Sequence, residues 1–254
     1  ENSIMCSEKE IYHLIDIGAL TVKNIDLPRK IRLRQSSKRK TYYKIDKKCL
    51  EGRKYVDFKK FIEENFDTNI TQIDTVEGIK GGKVLLTIHF VNCCFMLAFL
   101  REHNDAQSVI DVFNYLEELF GIETFKELFP VILTDNGSEF SNPKEIEYSH
   151  LTVEQRTKVF FCESGCSNQK GSCEVNHEMF RRILEKKTSF DNLTQEDINL
   201  MMSHINSYKR KKLNNSSALE MFNLMYGNDI AVKLNILEIS SNDINLTPFL
   251  LKRN

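Results

Sequence analysis

The chain has no apolar run long enough to span a membrane; the longest, around Cys93–Leu100, suits a buried strand instead. It shows no secretory leader and does not open on Met, so an N-terminal part is expected to be missing. It also lacks an even, regularly spaced set of cysteines. Seven, an odd number, argue against an oxidised secreted scaffold and for a reducing cytoplasm. There is no internal repeat, and no low-complexity tract beyond one basic segment. With 254 residues, 41% hydrophobic and 28% charged, the chain is read as one full-sized soluble domain with appendages.

A net charge of only −1 hides a strong asymmetry. Between Val22 and Lys60 stand fifteen Lys or Arg against four Asp or Glu, and the remainder is correspondingly acidic. A run of this kind is commonly a solvated face or tail. Lying before a globular core, with Pro28 and Ser36-Ser37 inside it, it reads as a linker on a polyanion. Nucleic acid is the natural partner, because each phosphate contact releases counterions.

Residues Cys6–Leu20 read as a short helix, with Ser7 as N-cap, Glu10 three residues on, and Ile11, Leu14 and Ile15 as the apolar face. A second short helix is expected over Phe58–Phe66. Strands are expected at Thr71–Glu77, Lys83–Asn92 and Cys93–Leu100, joined by short turns into an antiparallel meander. Asn104 or Asp105 caps a helix that carries Val109, Ile110, Val112, Phe113, Leu116, Leu119 and Phe120 and ends at Gly121. Strands follow at Val131–Thr134 and Lys158–Cys162, separated by a polar stretch containing Pro143. Helices then span about Lys170–Lys186, with Met179, Phe180, Ile183 and Leu184, and Gln195–Asn206, where Met201 and Met202 are core candidates. The order makes an α/β fold.

Three acids stand out by placement. Asp74 sits inside a strand between Ile73 and Val76, where acids are depleted. Asp135 ends the run Val131–Thr134 and opens Asp-Asn-Gly, at the rim where open α/β sheets place their chemistry; Asn-Gly is equally a hairpin turn. Glu174 falls in the first turns of the long helix. If the first and fourth strands are neighbours, that helix brings Glu174 to both acids. Three converging carboxylates need a cation, and oxygen ligands select Mg²⁺ or Mn²⁺. Cys162, Cys166, Cys173 and His177 form a competing paper zinc site, against which ordinary reduced cysteines are the simpler reading.

Asp74-Thr75-Val76-Glu77-Gly78, Leu133-Thr134-Asp135-Asn136-Gly137-Ser138-Glu139-Phe140 and Gln169-Lys170-Gly171-Ser172-Cys173-Glu174, with Asn176 and His177, resemble the three signature blocks of DDE transposases. The match is nearest to the IS-thirty family of bacterial insertion sequences. Stretches at Asn24–Lys30, Asn104–Phe113, Thr188–Asp191 and His204–Tyr208 are also similar, so the resemblance runs from about Ser7 to Tyr226. Departures are Cys162-Glu163-Ser164 in place of Cys-Asp-Pro, a missing proline at Ser216-Ser217-Ala218, and an Asp135–Glu174 interval slightly long for the family, which a loop around Asn142–Arg156 absorbs.

The resemblance implies a ribonuclease-H-like mixed five-stranded sheet flanked by helices, with DNA cleavage and strand transfer at terminal inverted repeats. It implies catalytic, metal-ligating roles for Asp74, Asp135 and Glu174, with two Mg²⁺ or Mn²⁺ ions. The chemistry asks mainly for positioning and charge neutralisation, and Asp135 serves best as the bridging ligand if it sits centrally. No covalent intermediate is needed, consistent with the lack of a Ser or Tyr nucleophile motif. Lys170, His177 and Arg181, and in the basic segment Arg29, Lys30, Arg32 and Arg34, are candidate DNA contacts; His177 is alternatively a packing histidine or proton donor. Asn136 is read as shaping the turn, and Glu77 and Glu139 as supporting residues. The expected organisation is a helical remnant of a DNA-binding helix-turn-helix region (1–21), a basic linker (22–60), the catalytic core (61–228) and a C-terminal tail (229–254). Expected partners are transposon ends and target DNA, with homo-oligomers on the DNA, in a bacterial cytoplasm near the nucleoid and without a membrane. Two other readings stay open: a metal-dependent nuclease of the same fold that does not join ends, and a catalytically idle DNA-binding remnant.

Overall fold

A computed structural model describes residues 6–23, 26–27 and 47–251, without the side chains of residues 47, 167, 168 and 172–175. The chain divides into two compact units, residues 1–43 and 44–254. In the first, α1 (Glu8–Asp16) starts as expected, with the Ser7 hydroxyl accepting from the Glu10 N–H at 3.3 Å.

The second unit is built on a mixed sheet of β1 (Ile70–Glu77), β2 (Val84–Phe90), β3 (Phe95–Arg101), β4 (Val131–Thr134) and β5 (Lys158–Phe161), in the order β3-β2-β1-β4-β5. β1, β2 and β3 form the antiparallel meander, while β4 lies parallel to β1 and β5 parallel to β4. The expected neighbour relation of the first and fourth strands holds. With helices flanking it, this sheet has the ribonuclease-H-like arrangement.

Period-two alternation assigns the two faces. Val131, Leu133, Phe160 and Cys162 point to one side, where Phe58 of α2 (Tyr55–Glu64) covers them. Ile132, Val159 and Phe161 point to the other, into the main core. That core takes in Val109, Ile110, Phe113 and Leu116 of α3 (Ala106–Phe120), Met179, Phe180 and Ile183 of α6 (Gly171–Ile183), and Met201 and Met202 of α7 (Gln195–Ser207). Asp105 caps α3 by accepting from Ser108 N, and Gly121 ends it at φ 79°. Both methionines are fully buried, as expected.

Four short helices lie where the sequence suggested none: α4 (Ile122–Leu128), α5 (Pro143–Glu147), α8 (Ala218–Tyr226) and α9 (Asn228–Lys233). The stretch expected as a polar loop is pinned from within. Arg156 is fully buried, with Nη1 2.5 Å from Glu117 Oε2 and Nε donating to Ile146 O at 2.9 Å. Lys54–Lys60, placed in the linker by the sequence reading, belongs to the start of α2 and packs on the sheet. The stretch expected as a tail contributes buried Ala231, Leu234 and Ile236 to the core.

Side chains engage the outer edge of β3, and a side chain together with a backbone segment engages that of β5. On β3, Leu100 N donates to Gln195 Oε1 and Met96 N to Asn206 Oδ1, while the same two amides donate to Ala98 O and Met96 O, all at 2.7–2.9 Å. On β5, Val159 N donates to Glu147 Oε1 and Phe161 N to Arg53 O, and Lys54 bridges to Phe161. Arg53 in turn forks onto Glu147, Nε to Oε1 at 3.0 Å and Nη2 to Oε2 at 2.5 Å.

Candidate active site

β1 and β4 run parallel with Gln72 beside Leu133, so two residues further on Asp74 and Asp135 come level at one rim of the sheet. The residues below them, Ile73 and Thr134, are fully buried, whereas the Asp74 and Asp135 side chains are 28% and 50% exposed. Asp74 Oδ1 accepts from Thr75 N at 3.0 Å. Asp135 Oδ1 accepts from Gly137 N at 3.0 Å, an Asx turn that fixes the carboxylate as the chain leaves the strand. Asn136 Nδ2 donates to Cys162 O at 2.7 Å and ties that turn to the end of β5, the turn-shaping role expected of it.

Lys170, the last residue of a 3₁₀ turn (Ser167–Lys170) running into α6, reaches back between the two acids. Its Nζ donates to Ile73 O at 2.8 Å and lies 3.4 Å from Asp74 Oδ1 and 4.0 Å from Asp135 Oδ2. His177 closes the other side of Asp74, with Nδ1 3.7 Å from Oδ2 and Nε2 3.2 Å from Thr87 Oγ1. Thr87, the cross-strand partner of Asp74, gives its hydroxyl proton to Asp74 O at 3.1 Å. His177 thus meets Thr87 through Nε2 and the Asp74 carboxylate through Nδ1.

Asp74, Asp135, Lys170 and His177 are therefore assembled in one place. Position 174 is the fourth residue of α6, one turn before His177; the Glu174 side chain lies outside the described residues. Arg29, Lys30, Arg32 and Arg34 lie outside them too. Arg181 stands one turn beyond His177 and donates to Glu77 O at 3.4 Å, at the far end of β1; burial lowers its pKa. Among the described residues no three His, Cys, Asp or Glu side chains converge to hold a metal ion. Of the paper zinc site, Cys162 is buried, Cys166 Sγ lies 3.7 Å from Glu163 Oε2, and the Cys173 side chain lies outside the described residues.

Two polar residues around the rim had no signal in the sequence. Thr87 looks like any strand threonine, yet it joins His177 to Asp74. Arg101, at the end of β3, is buried and donates to Thr75 Oγ1 (2.9 Å) and Ser108 Oγ (2.8 Å), linking β1 to the start of α3; burial pulls its pKa down to about 10. Further along α6, Asn176 is buried, with Nδ2 bonded to Cys94 O (3.0 Å) and beside His89 Nδ1 (2.7 Å), and Oδ1 accepting from Arg210 Nη1 (2.6 Å).

No family model matches the chain. Over 226 residues (88% of the chain, 60% of the relative) it is 26% identical to a Streptococcus salivarius protein named the probable transposase for insertion-like sequence element IS1161. It is 25% identical over 140 residues, 55% of the chain, to the transposase InsI for insertion sequence element IS30A of Escherichia coli, of which that covers 34%. Over 91 residues (36% of the chain) it is 34% identical to ORF3 of Spiroplasma virus SpV1-R8A2 B, named as a candidate integrase, and there it spans 27% of the relative. The chain thus spans between about a quarter and three fifths of the length of these relatives.

Proposed function

We propose that this chain, related to insertion-sequence transposases of the IS-thirty type, carries the catalytic core of a DNA transposase that cleaves transposon ends and joins them to target DNA. The observation that carries the reading is the pairing of Asp74 and Asp135 at one sheet rim around a common cation, Lys170 Nζ, with Glu174 on the helix that crosses there. The pair favours positive charge and offers oxygen donors alone, which fits a hard divalent ion. Asp74, Asp135 and Glu174 would hold Mg²⁺ or Mn²⁺, expected as two ions, whose chemistry is to activate an attacking water or 3′-hydroxyl and to neutralise the scissile phosphate.

The rest falls to the protein's own groups. The Gly137 and Thr75 N–H groups fix the two carboxylates before DNA arrives, so that little reorganisation is left for the reaction. Thr87 orients the imidazole of His177 at the rim, where it can contact a phosphate oxygen or pass a proton. The basic segment, with Arg29, Lys30, Arg32 and Arg34, supplies phosphate contacts that carry no sequence information. Two copies brought together by two DNA ends complete the reading.

The test is nicking and strand transfer on a labelled duplex carrying the element's own end, with Mn²⁺ or Mg²⁺. Wild type is compared with Asp135→Asn and Glu174→Gln, which keep shape and lose charge. Metal-dependent joining of 3′-ends, lowered at least about a thousandfold in both variants, is the expected result. Activity surviving in both removes the carboxylate assignment. Cutting without joining identifies a nuclease, and DNA binding with neither identifies an idle remnant.

A further inference from the structure

Lys170 stands where the two acids meet. Its side chain is only 12% exposed, and its ammonium faces Ile73 O, Asp74 and Asp135 rather than solvent. We propose that Lys170 is a built-in competitor of the metal: it holds Asp74 and Asp135 together in the metal-free protein and is displaced when a divalent cation binds between them. The inference rests on the metal reading of that pair and goes beyond it by giving the cation's place to a residue of this chain.

Two carboxylates level on adjacent parallel strands repel, and an ammonium between them removes that repulsion without leaving the chain. A Mg²⁺-class ion binds carboxylate oxygens at about 2.0–2.1 Å, in the space between the same oxygens. The ammonium and the ion cannot share it, because their mutual repulsion at a few Å in a partly buried site is strong. Lys170 can leave without unfolding anything. It is the residue at which the 3₁₀ turn meets α6, and its four-carbon stem lets the charge swing outward while the backbone stays. Once displaced, the ammonium remains within a side chain's length of the acids and is available to a phosphate. The same lysine thus keeps the acids paired before metal arrives and serves DNA afterwards.

The test is Mn²⁺ titration of the full chain, followed by the electron paramagnetic resonance of the free ion. It compares wild type, Lys170→Met, Lys170→Gln and Asp135→Asn; the glutamine keeps a donor for Ile73 O should the methionine perturb folding. Removing a charge-assisted competitor is expected to tighten Mn²⁺ binding roughly tenfold in both lysine variants, with Asp135→Asn binding more weakly than wild type. In parallel, labelling of the Lys170 amine in wild type, read by mass spectrometry, is expected to be slow in EDTA and several-fold faster at saturating Mn²⁺. Equal or weaker Mn²⁺ binding by both lysine variants, with Asp135→Asn still impaired, overturns the competition and leaves the metal reading standing. Labelling already fast in EDTA overturns it as well. Binding of Mn²⁺ by none of the four proteins overturns the metal reading and this inference together.

Discussion

His89 on β2 is fully buried, its Nδ1 beside Asn176 Nδ2, and its Nε2 has no hydrogen-bond partner among the described residues. Burial first, then the charges of Arg210, His177 and Lys212, bring its pKa down to about 3. Folding therefore favours the neutral ring, whereas in the unfolded chain it titrates near 6.5. The stability it contributes is complete above about pH 6.5 and declines below that by up to about 1.4 kcal/mol per pH unit, until it is lost near pH 3. Denaturant melts at pH 7 and pH 5 should show wild type losing up to about 2 kcal/mol, with His89→Gln losing clearly less; equal losses would refute the assignment. Gly78 is as exacting for a different reason. A Cβ there would collide with the carbonyl oxygen of Thr188 and crowd the Phe190 ring. Gly78→Ala is expected to destabilise the fold by roughly 2 kcal/mol or more in the same melts. That close approach brings the Asp74–Gly78 block against the Thr188–Asp191 stretch. Asp74 and Asp135 were legible because acids interrupt apolar strands. The inward reach of Lys170 was not, since a cation beside a helix ordinarily faces water.

Helix α6 carries the third expected acid, and beside its apolar packing a buried amide ties it to the sheet. Asn176 bonds Cys94 O and receives Arg210, whose Nη1 also donates to Cys94 O and Nη2 to Ile205 O. Asn176→Ala removes one acceptor of the buried Arg210 guanidinium and the bond to Cys94 O, and loosens the helix beside the acids. It should lower stability by about 2–3 kcal/mol and reduce turnover more than it weakens DNA binding. Chemical denaturation alongside single-turnover cleavage checks this, and unchanged turnover in a folded variant would argue that α6 needs no such anchor. The strands and the long helices were readable because each pairs an uninterrupted periodicity with a clear stop. The short helices were not. Gly121 signals only the end of α3, yet the chain turns there and begins α4 at once. Pro143 marks the first position of α5, a start signal inside what looked like a polar loop. Ser217 and Glu220 form a full capping box for α8, with no proline to mark the start.

At the scale of the molecule, residues 44–254 contain the sheet, its core and the assembled acids, while residues 22–43 alone carry eight Lys or Arg. A chain beginning at Lys44 should keep its cooperative unfolding. Its DNA affinity should fall, and the slope of log affinity against log salt should flatten by up to about 0.9 for each phosphate no longer neutralised. An unchanged slope would remove the basic segment from the DNA-binding account. What lies outside the sheet was hardest to foresee, because no local pattern announces that a glutamine and an asparagine near opposite ends of one helix will occupy the outer backbone of β3. With the Glu147 side chain and the Arg53 backbone carbonyl engaging β5, both rims have part of their ladder occupied against a passing strand. Such a sheet is guarded against edge-to-edge aggregation and strand swapping. The assembly of two copies on DNA proposed above would then run through helices, loops or the nucleic acid itself rather than by zipping two sheets into one.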